Sequence, residues 1–142
     1  MRSPNRWSCT PTAAAMAISC PLPQLLSIIG HDGSEIIYPN KPEPFCRRSF
    51  HIQEIIYALW TLGFGVVQFQ AIPVTNFGRV IAYDFEKMLD HTCSIICGIG
   101  HSGVPHTVMW DGRLIHDPNG TRYEIDKFQI ETLYCIFKIK SN

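Results

Sequence analysis

The chain has no excess of charge of either sign. Its 142 residues include twelve Lys and Arg and twelve Asp and Glu, so the formal net charge is zero. A balanced chain gives no electrostatic reason to expect nucleic acid or an anionic membrane as a partner. No apolar run reaches the roughly 20 residues of a membrane-spanning helix, and the sequence holds no repeats or low-complexity segments. It therefore predicts one domain over residues 1–142, with enough apolar chain to bury a core.

A signal for export is also weak. Arg2 and Arg6 precede a short apolar run at 13–18, and Cys20 follows it. That run is shorter than the apolar region expected of a signal peptide, and polar residues interrupt its front. We therefore expect a cytoplasmic protein with reduced cysteines, because the even count of six does not by itself imply disulfides.

Helix signals come first along the chain. Ser8 can cap a helix from Cys9 to Ser19, which Pro21 would end. A second helix fits Leu22 to Ile29, and Gly30 is a typical C-terminal signal.

A third helix follows an irregular segment, and strands come after it. Ser49 can cap this helix, in which apolar residues recur at helical spacing from Ile52 to Trp60 before Gly63; His51 falls one turn inside it, at the surface. The remaining patterns predict strands at Val66–Ile72, Ser94–Ile99 and Leu133–Ile139, and a short helix at Asp84–Leu89. This order predicts an α+β fold, with an N-terminal helical layer packed on a C-terminal antiparallel sheet.

A hairpin signal places two polar residues opposite each other. Asp111 and Gly112 lie between alternating apolar residues, which is the pattern of a two-residue turn. With that turn, His106 would face Asp117, with Cβ atoms roughly 4.5–5.5 Å apart. An imidazole held by a carboxylate is the general base and its orienting group in a catalytic triad. His116 would point to the opposite face, toward Thr107.

Cys9 is the candidate nucleophile for this pair. It falls where the first helix should begin, and the N–H groups and positive dipole end of a helix N-terminus favour thiolate. A neighbouring imidazolium lowers the pKa of a thiol further. The N–H of Cys9 could also stabilise a developing oxyanion.

Two blocks of sequence carry a family resemblance. Cys9-Thr-Pro-Thr-Ala-Ala-Ala-Met16 resembles the nucleophile helix of papain-like cysteine peptidases, and is most similar to that of the bacteriocin-leader-processing group. His106-Thr-Val-Met-Trp-Asp-Gly, followed by Asp117-Pro-Asn-Gly, resembles the second block of that group. The resemblance implies a papain-like fold, Cys9 as nucleophile, His106 as general base and acid, and Asp117 as the orienting group. It implies a protein or peptide substrate and no cofactor.

The resemblance has departures. The family's oxyanion-stabilising Gln corresponds to Ser3 here, and Thr10 replaces the common Gly after the cysteine. Asn5 carries an amide donor nearby, at a different spacing. Loss of one oxyanion donor typically costs ~10²–10³ in turnover. Eight residues before Cys9 are too few for an inhibitory propeptide, so we expect an enzyme that is always active or is controlled by a regulatory partner.

Simpler interpretations accompany these hypotheses. A cysteine in an alanine-rich helix is often only a small buried apolar residue, and an Asp before Pro often only forms a turn. His31 precedes a loop that could line a cleft, and Trp110 could contact substrate or lie in the core. Four residues could bind zinc but have poor spacing for it, so we predict no metal: His91, Cys93, Cys97 and His101. Three other cysteines are expected to be structural: Cys20, Cys46 and Cys135.

The expected activity is hydrolysis of a peptide, isopeptide or amide bond through a thioester. The same three residues would also support acyl transfer or glutamine deamidation, and product masses would separate these reactions. A catalytically silent papain-like binding module is the alternative of another class. The sequence does not indicate an oligomeric state.

Overall fold

The computed structural model describes residues 1–70, 74–76, 78–81, 89–90, 92–100 and 103–139. Within these ranges, three α-helices precede the strands: α1 (Cys9–Ala17), α2 (Leu22–Ile29) and α3 (Ile52–Thr61). The strands are β1 (Phe64–Gln70), β2 (Val74–Asn76), β3 (Arg79–Ile81), β4 (Cys93–Ile99), β5 (Pro105–Trp110), β6 (Ile115–His116), β7 (Arg122–Tyr123) and β8 (Gln129–Lys138). The α+β class predicted from the sequence is confirmed.

Six strands form one antiparallel sheet in the order β1-β8-β4-β5-β6-β7, and β2 pairs with β3. The last strand lies inside the sheet, between β1 and β4. Strands β5, β6 and β7 follow one another as adjacent antiparallel strands at the other end. Residues 105–123, which carry the predicted His–Asp pair, therefore form the outer part of the sheet.

Helix α1 is buried around its whole circumference. Ala13, Ala14 and Ala15 have no exposed surface, and the helix contacts α2, α3, β4 and β5. A helix that is apolar on all sides lies inside a core, and alanine allows all four neighbours to approach closely. This packing fixes where the helix begins.

The sheet is covered on both faces. Ile95 and Met109 pack against the helices, whereas Ile96 and Val108 pack in a second cluster on the other face. Adjacent residues of β4 and β5 are therefore both buried. This explains why β4 reads as a continuous apolar run instead of an alternating one.

The start of α3 corrects two sequence predictions. Its cap is His51, not Ser49, so His51 precedes the helix instead of lying one turn inside it. The His51 ring accepts a hydrogen bond from the N–H of Gln53, and the Glu54 carboxylate accepts one from the N–H of His51. This reciprocal pair is a capping box built on histidine. Ser49 has a φ of 56° and its hydroxyl donates to the carbonyl of Trp7 instead.

Other boundaries differ by a few residues. The strand predicted at Val66–Ile72 begins at Phe64 and ends at Gln70, and Ile72 lies outside the described residues. The strand predicted at Leu133–Ile139 begins at Gln129, because its first residues pair with β4 beyond a register shift at Cys97 and Gly98. The helix predicted at Asp84–Leu89 lies, apart from Leu89, outside the described residues.

None of the described helices is by itself long and apolar enough to cross a membrane. Taken together, α1 and α2 would suffice in length and composition, but they are bent by 116° at the break between them. Their residues Ala14 and Leu25 are fully buried in the core.

Candidate active site

The hairpin that carries His106 and Asp117 has a longer loop than predicted. Met109 pairs with His116 and Trp110 with Ile115, which leaves four residues, 111–114, between the strands. Asp111 does not adopt positive φ. Its carboxylate accepts hydrogen bonds from the N–H groups of Arg113 and Leu114, both at 2.8 Å. This side-chain turn replaces the two-residue turn, because aspartate satisfies nearby backbone donors with its own oxygens.

His106 and Asp117 still meet, although they are not directly opposite. The longer loop moves the register by two residues, so that His106 would face Asn119 and Asp117 becomes a diagonal neighbour. A shift of two keeps every side chain on its predicted face, because the side-chain period of a strand is two. Long side chains can reach diagonal neighbours, and Nε2 of His106 donates to Oδ1 of Asp117 at 2.7 Å.

His116 also differs from its predicted surroundings. It pairs with Met109 across the strands, not with Thr107. Its Nε2 lies 2.6 Å from Oδ2 of Asp111, so it supports the turn.

Asp117 is held by three donors. Besides His106, it accepts a hydrogen bond from the Tyr123 hydroxyl at 2.7 Å and one from the N–H of Asn119 at 2.9 Å. Burial would raise the pKa of this carboxyl, but the bonds with His106, Tyr123 and Asn119 outweigh burial and lower it. The residue is only 4% exposed, so its charge acts on His106 with little screening by water.

Cys9 is the first residue of α1, as predicted. Ser8 occupies the cap position, but its side chain makes no capping hydrogen bond. Its hydroxyl oxygen is instead the one buried side-chain polar atom without a partner in the described part of the chain. The positive end of the helix is therefore not neutralised by a side chain of its own, which favours an anion at this position.

His106 and Cys9 perturb each other as hydrogen-bond partners. Burial would raise the pKa of the Cys9 thiol, but the bond and charge of His106 lower it, together with hydrogen bonds from Thr10 and the N–H of Thr107. The bond with Asp117, followed by that with Cys9, raises the pKa of His106 to about 9. Both directions favour a thiolate–imidazolium pair at neutral pH. Because Asp117 occupies Nε2, Nδ1 is the nitrogen available to the sulfur.

A second contact ties the start of α1 to β5. The hydroxyl of Thr10 donates to that of Thr107 at 3.2 Å, and the Thr107 hydroxyl lies 3.5 Å from the sulfur of Cys97. Thr10, which stands where papain-like peptidases commonly have glycine, therefore attaches α1 to the strand that carries His106.

Cys9 and His106 open into a cleft of about 880 Å³. Residues 2–7 form one wall, and Phe45 and Arg47 from the irregular segment before α3 belong to another. Val104 and Pro105 precede His106 along the rim, and Pro118 and Asn119 follow Asp117. A pocket of this volume is within the range of ligand-binding clefts.

Comparison with known proteins adds no family assignment. No protein-family model matches the sequence, and no curated protein matches it.

Of the other predicted site residues, Asn5 lies in the cleft and His31 does not. Asn5 lines the cleft with Cys9. Its Oδ1 accepts a hydrogen bond from the N–H of Trp7 at 3.1 Å, and this local turn fixes the orientation of the side-chain amide. His31 does not line this cleft. Its Nε2 contacts Glu54 and its Nδ1 accepts from the N–H of Gly33, so both ring nitrogens are occupied by structural partners.

The structure also does not bring Trp110 to the cleft. Trp110 is buried, and its indole N–H donates to the carbonyl of Leu89 beneath the sheet. Trp7 provides the tryptophan of the cleft wall instead, with its indole N–H bonded to the carbonyl of Asp32.

Two site residues were missed by the sequence analysis. Tyr123 lies on β7, a strand of only two residues, which is too short to give a periodic signal. The turn at Gly120, after which the chain runs back beside β6, was the only sequence feature that pointed to it. Trp7 has no periodic signal, since it lies in an irregular segment and contacts Asp32 and Ser49 across long stretches of sequence.

The remaining cysteines differ from Cys9. Cys20, Cys46 and Cys135 are buried, as expected of structural residues. Burial raises the pKa of Cys93 to about 11 and also raises that of Cys97. His91 and His101, from the proposed zinc group, lie outside the described residues.

Proposed function

We propose that the protein is a papain-like thiol hydrolase that cleaves a peptide, isopeptide or amide bond. The observation that supports this most directly is that Cys9 and His106 line the same cleft and shift each other's pKa, while His106 is bonded to Asp117 at 2.7 Å. A buried structural cysteine would need neither a lowered pKa nor a histidine held by a carboxylate.

The chemistry follows from the charges of these three groups. The Cys9 thiolate attacks the carbonyl carbon, and the pair of electrons from the C=O bond moves to oxygen. His106 gives its proton to the leaving amine as the C–N bond breaks, leaving a thioester. It then takes a proton from water, whose oxygen attacks the thioester and releases the acid and the thiolate. Asp117 stabilises the imidazolium in both steps.

The start of α1 supplies stabilisation for the oxyanion. The N–H of Cys9 belongs to an uncapped helix N-terminus, which is a favourable environment for negative charge. Asn5 is the side chain we assign as second donor, because it carries an amide and lines the same cleft as Cys9, two residues from the position that corresponds to the family's glutamine.

The test is cleavage of a mixed peptide pool by the purified protein, followed by mass spectrometry. Cys9→Ala should abolish cleavage while circular dichroism and thermal unfolding stay close to those of the parent. Cys93→Ala is the matched control, since it removes a half-buried thiol whose pKa is raised to about 11. Full activity in Cys9→Ala would refute the proposal.

The product masses also identify the reaction that follows the thioester. Hydrolysis of a backbone amide divides a peptide, glutamine deamidation adds about one dalton, and transfer joins two molecules. Absence of all three products with the intact thiolate would favour the silent binding module.

A further inference from the structure

Among the residues that the structure describes, the cleft is lined by basic side chains and by no acidic ones. Three arginines contribute to its walls, namely Arg2, Arg6 and Arg47, whereas no Asp or Glu of the described residues does. The whole chain has a net charge of zero, so this is a local concentration of positive charge.

Arg47 is already neutralised. Its Nε and Nη2 donate to the carboxylate of Glu43 at 2.7–3.1 Å, and its Nη1 donates to the carbonyl of Ser34 at 2.8 Å. The guanidinium also lies 4.5 Å from the centre of the Trp7 ring. Arg47 therefore stabilises the wall of the cleft, and its charge is largely compensated by Glu43 before any ligand binds.

Arg2 and Arg6 have no such partner. Both are exposed, and no carboxylate of the described ranges lies within 4 Å of either guanidinium. The charge of Arg6 reaches Glu43 only as the smallest contribution to the lowered pKa of that carboxyl. A ligand with negative charge would meet two uncompensated cations here.

The segment that carries these arginines is anchored to the active site. The N–H of Ser3 donates to the carbonyl of Pro118 at 2.6 Å, next to Asp117. The Ser3 hydroxyl donates to the carbonyl of Asn5 at 2.7 Å, and the stem of Arg2 packs beside Gly120. The backbone that carries Arg2 and Arg6 is therefore anchored beside the cleft, which limits the entropy lost when a ligand binds there.

Apolar side chains complete the same rim. Phe45 is 67% exposed and Val104 is 54% exposed, and both line the cleft with Cys9. Exposed apolar side chains beside polar groups are typical of ligand-binding clefts. The surface thus offers contact to an apolar group and to an anion together.

We propose that the substrate presents a carboxylate to Arg2 and Arg6 and an apolar side chain to Phe45 and Val104. This inference names the substrate class of the proposed hydrolase and so rests on the proposed function. The carboxylate belongs either to an Asp or Glu near the scissile bond or to the C-terminus of a peptide. The two sources share the chemistry that the arginines recognise.

The first measurement reads the charge at Cys9 without a peptide. Iodoacetate carries a negative charge and iodoacetamide carries none, so the ratio of their alkylation rates reports the local potential. We expect Arg2→Gln/Arg6→Gln to lower this ratio by roughly 3–10-fold at low salt. Arg113→Gln, which removes an exposed arginine of the 111–114 loop outside this cleft, should leave it unchanged. Equal ratios in all three proteins would overturn the proposal.

The second measurement uses peptide binding to Cys9→Ala, which does not depend on cleavage. Labelled octapeptide pools with a central Leu or Phe are compared in pairs, with Asp and Glu against Asn and Gln, and with free against amidated C-termini. We expect the preferred acidic pool to bind about tenfold tighter than its neutral counterpart, and the difference to vanish with Arg2→Gln/Arg6→Gln but not with Arg113→Gln. The pair that shows the difference identifies the source of the carboxylate.

The failures of the two proposals can be told apart. Peptide cleavage that depends on Cys9 but shows no preference for acidic pools would retain the hydrolase and refute the acidic substrate. Binding of acidic pools that depends on Arg2 and Arg6, without any reaction at Cys9, would retain the anion-binding cleft and refute the hydrolase.

Discussion

The hydroxyl of Tyr123 should raise the pKa of His106 through Asp117, to which both side chains are hydrogen-bonded. Tyr123→Phe removes one of the three hydrogen bonds to Asp117, the one at 2.7 Å. Hydrogen bonds to charged groups contribute about 1.5–3 kcal/mol, and two donors remain on the carboxylate. We therefore expect the pKa of His106 to fall from about 9 by roughly one, which corresponds to about 1.4 kcal/mol.

The consequence for stability has a defined sign. His106 has a raised pKa in the folded protein, so its contribution to stability is complete below its ordinary value near 6.5 and is lost as the pH rises through about 9. In Tyr123→Phe this loss should be smaller and should be complete at a lower pH, because only the folded-state pKa falls.

Titration of the His106 ring protons by NMR measures the change directly, and urea unfolding between pH 6 and 10 measures its effect on stability. Tyr57→Phe is the matched control, since Tyr57 is 71% exposed on α3 and does not line the cleft. An unchanged His106 titration in folded Tyr123→Phe would show that Tyr123 does not act through Asp117, and the reasoning would fail.

Two further substitutions test the site and its support. Asp117→Asn should bring the pKa of His106 back toward its ordinary value and reduce the rate of cleavage, measured by steady-state kinetics, by about 10³–10⁴-fold. The free energy of unfolding of this variant should also depend less on pH in acid. In the parent, the stability contributed by the low pKa of Asp117 is lost as the pH falls through that pKa. Gly98→Ala should destabilise the protein by about 1–3 kcal/mol or more in urea unfolding, because its Cβ would lie 2.0 Å from the carbonyl oxygen of Gln129. Gly100→Ala, whose nearest contact would be 3.8 Å away, should cost much less; equal costs would contradict the packing argument.

Local signals were sufficient for several elements. The bounds of α2 match the sequence prediction, because Gly30 adopts the positive φ of 94° that ends a helix. The start of α1 at Cys9 also matches. The predicted loop length was wrong, but His106 and Asp117 were still predicted on the correct face of the sheet, because a register shift of two residues leaves the face of each side chain unchanged.

The remaining features depend on interactions that periodicity does not encode. The hydrogen bonds that the carboxylate of Asp111 accepts stabilise a four-residue loop. At the start of α3, His51 is the cap residue, where Ser49 was expected. The walls of the cleft come from irregular segments whose contacts join residues far apart in sequence, such as Trp7 and Ser49. Arg2 and Arg6 could be placed beside Cys9 only once these contacts were known.

The most direct test of the central claim is the pH dependence of Cys9 alkylation by iodoacetamide, followed by mass spectrometry of each cysteine. The account predicts that Cys9 reacts as a thiolate well below the ordinary thiol pKa near 8.5, much faster than Cys93, and that His106→Ala removes this reactivity at low pH. A Cys9 that titrates like an ordinary thiol, with the same profile in His106→Ala, would contradict the claim that His106 and Cys9 form a reactive pair.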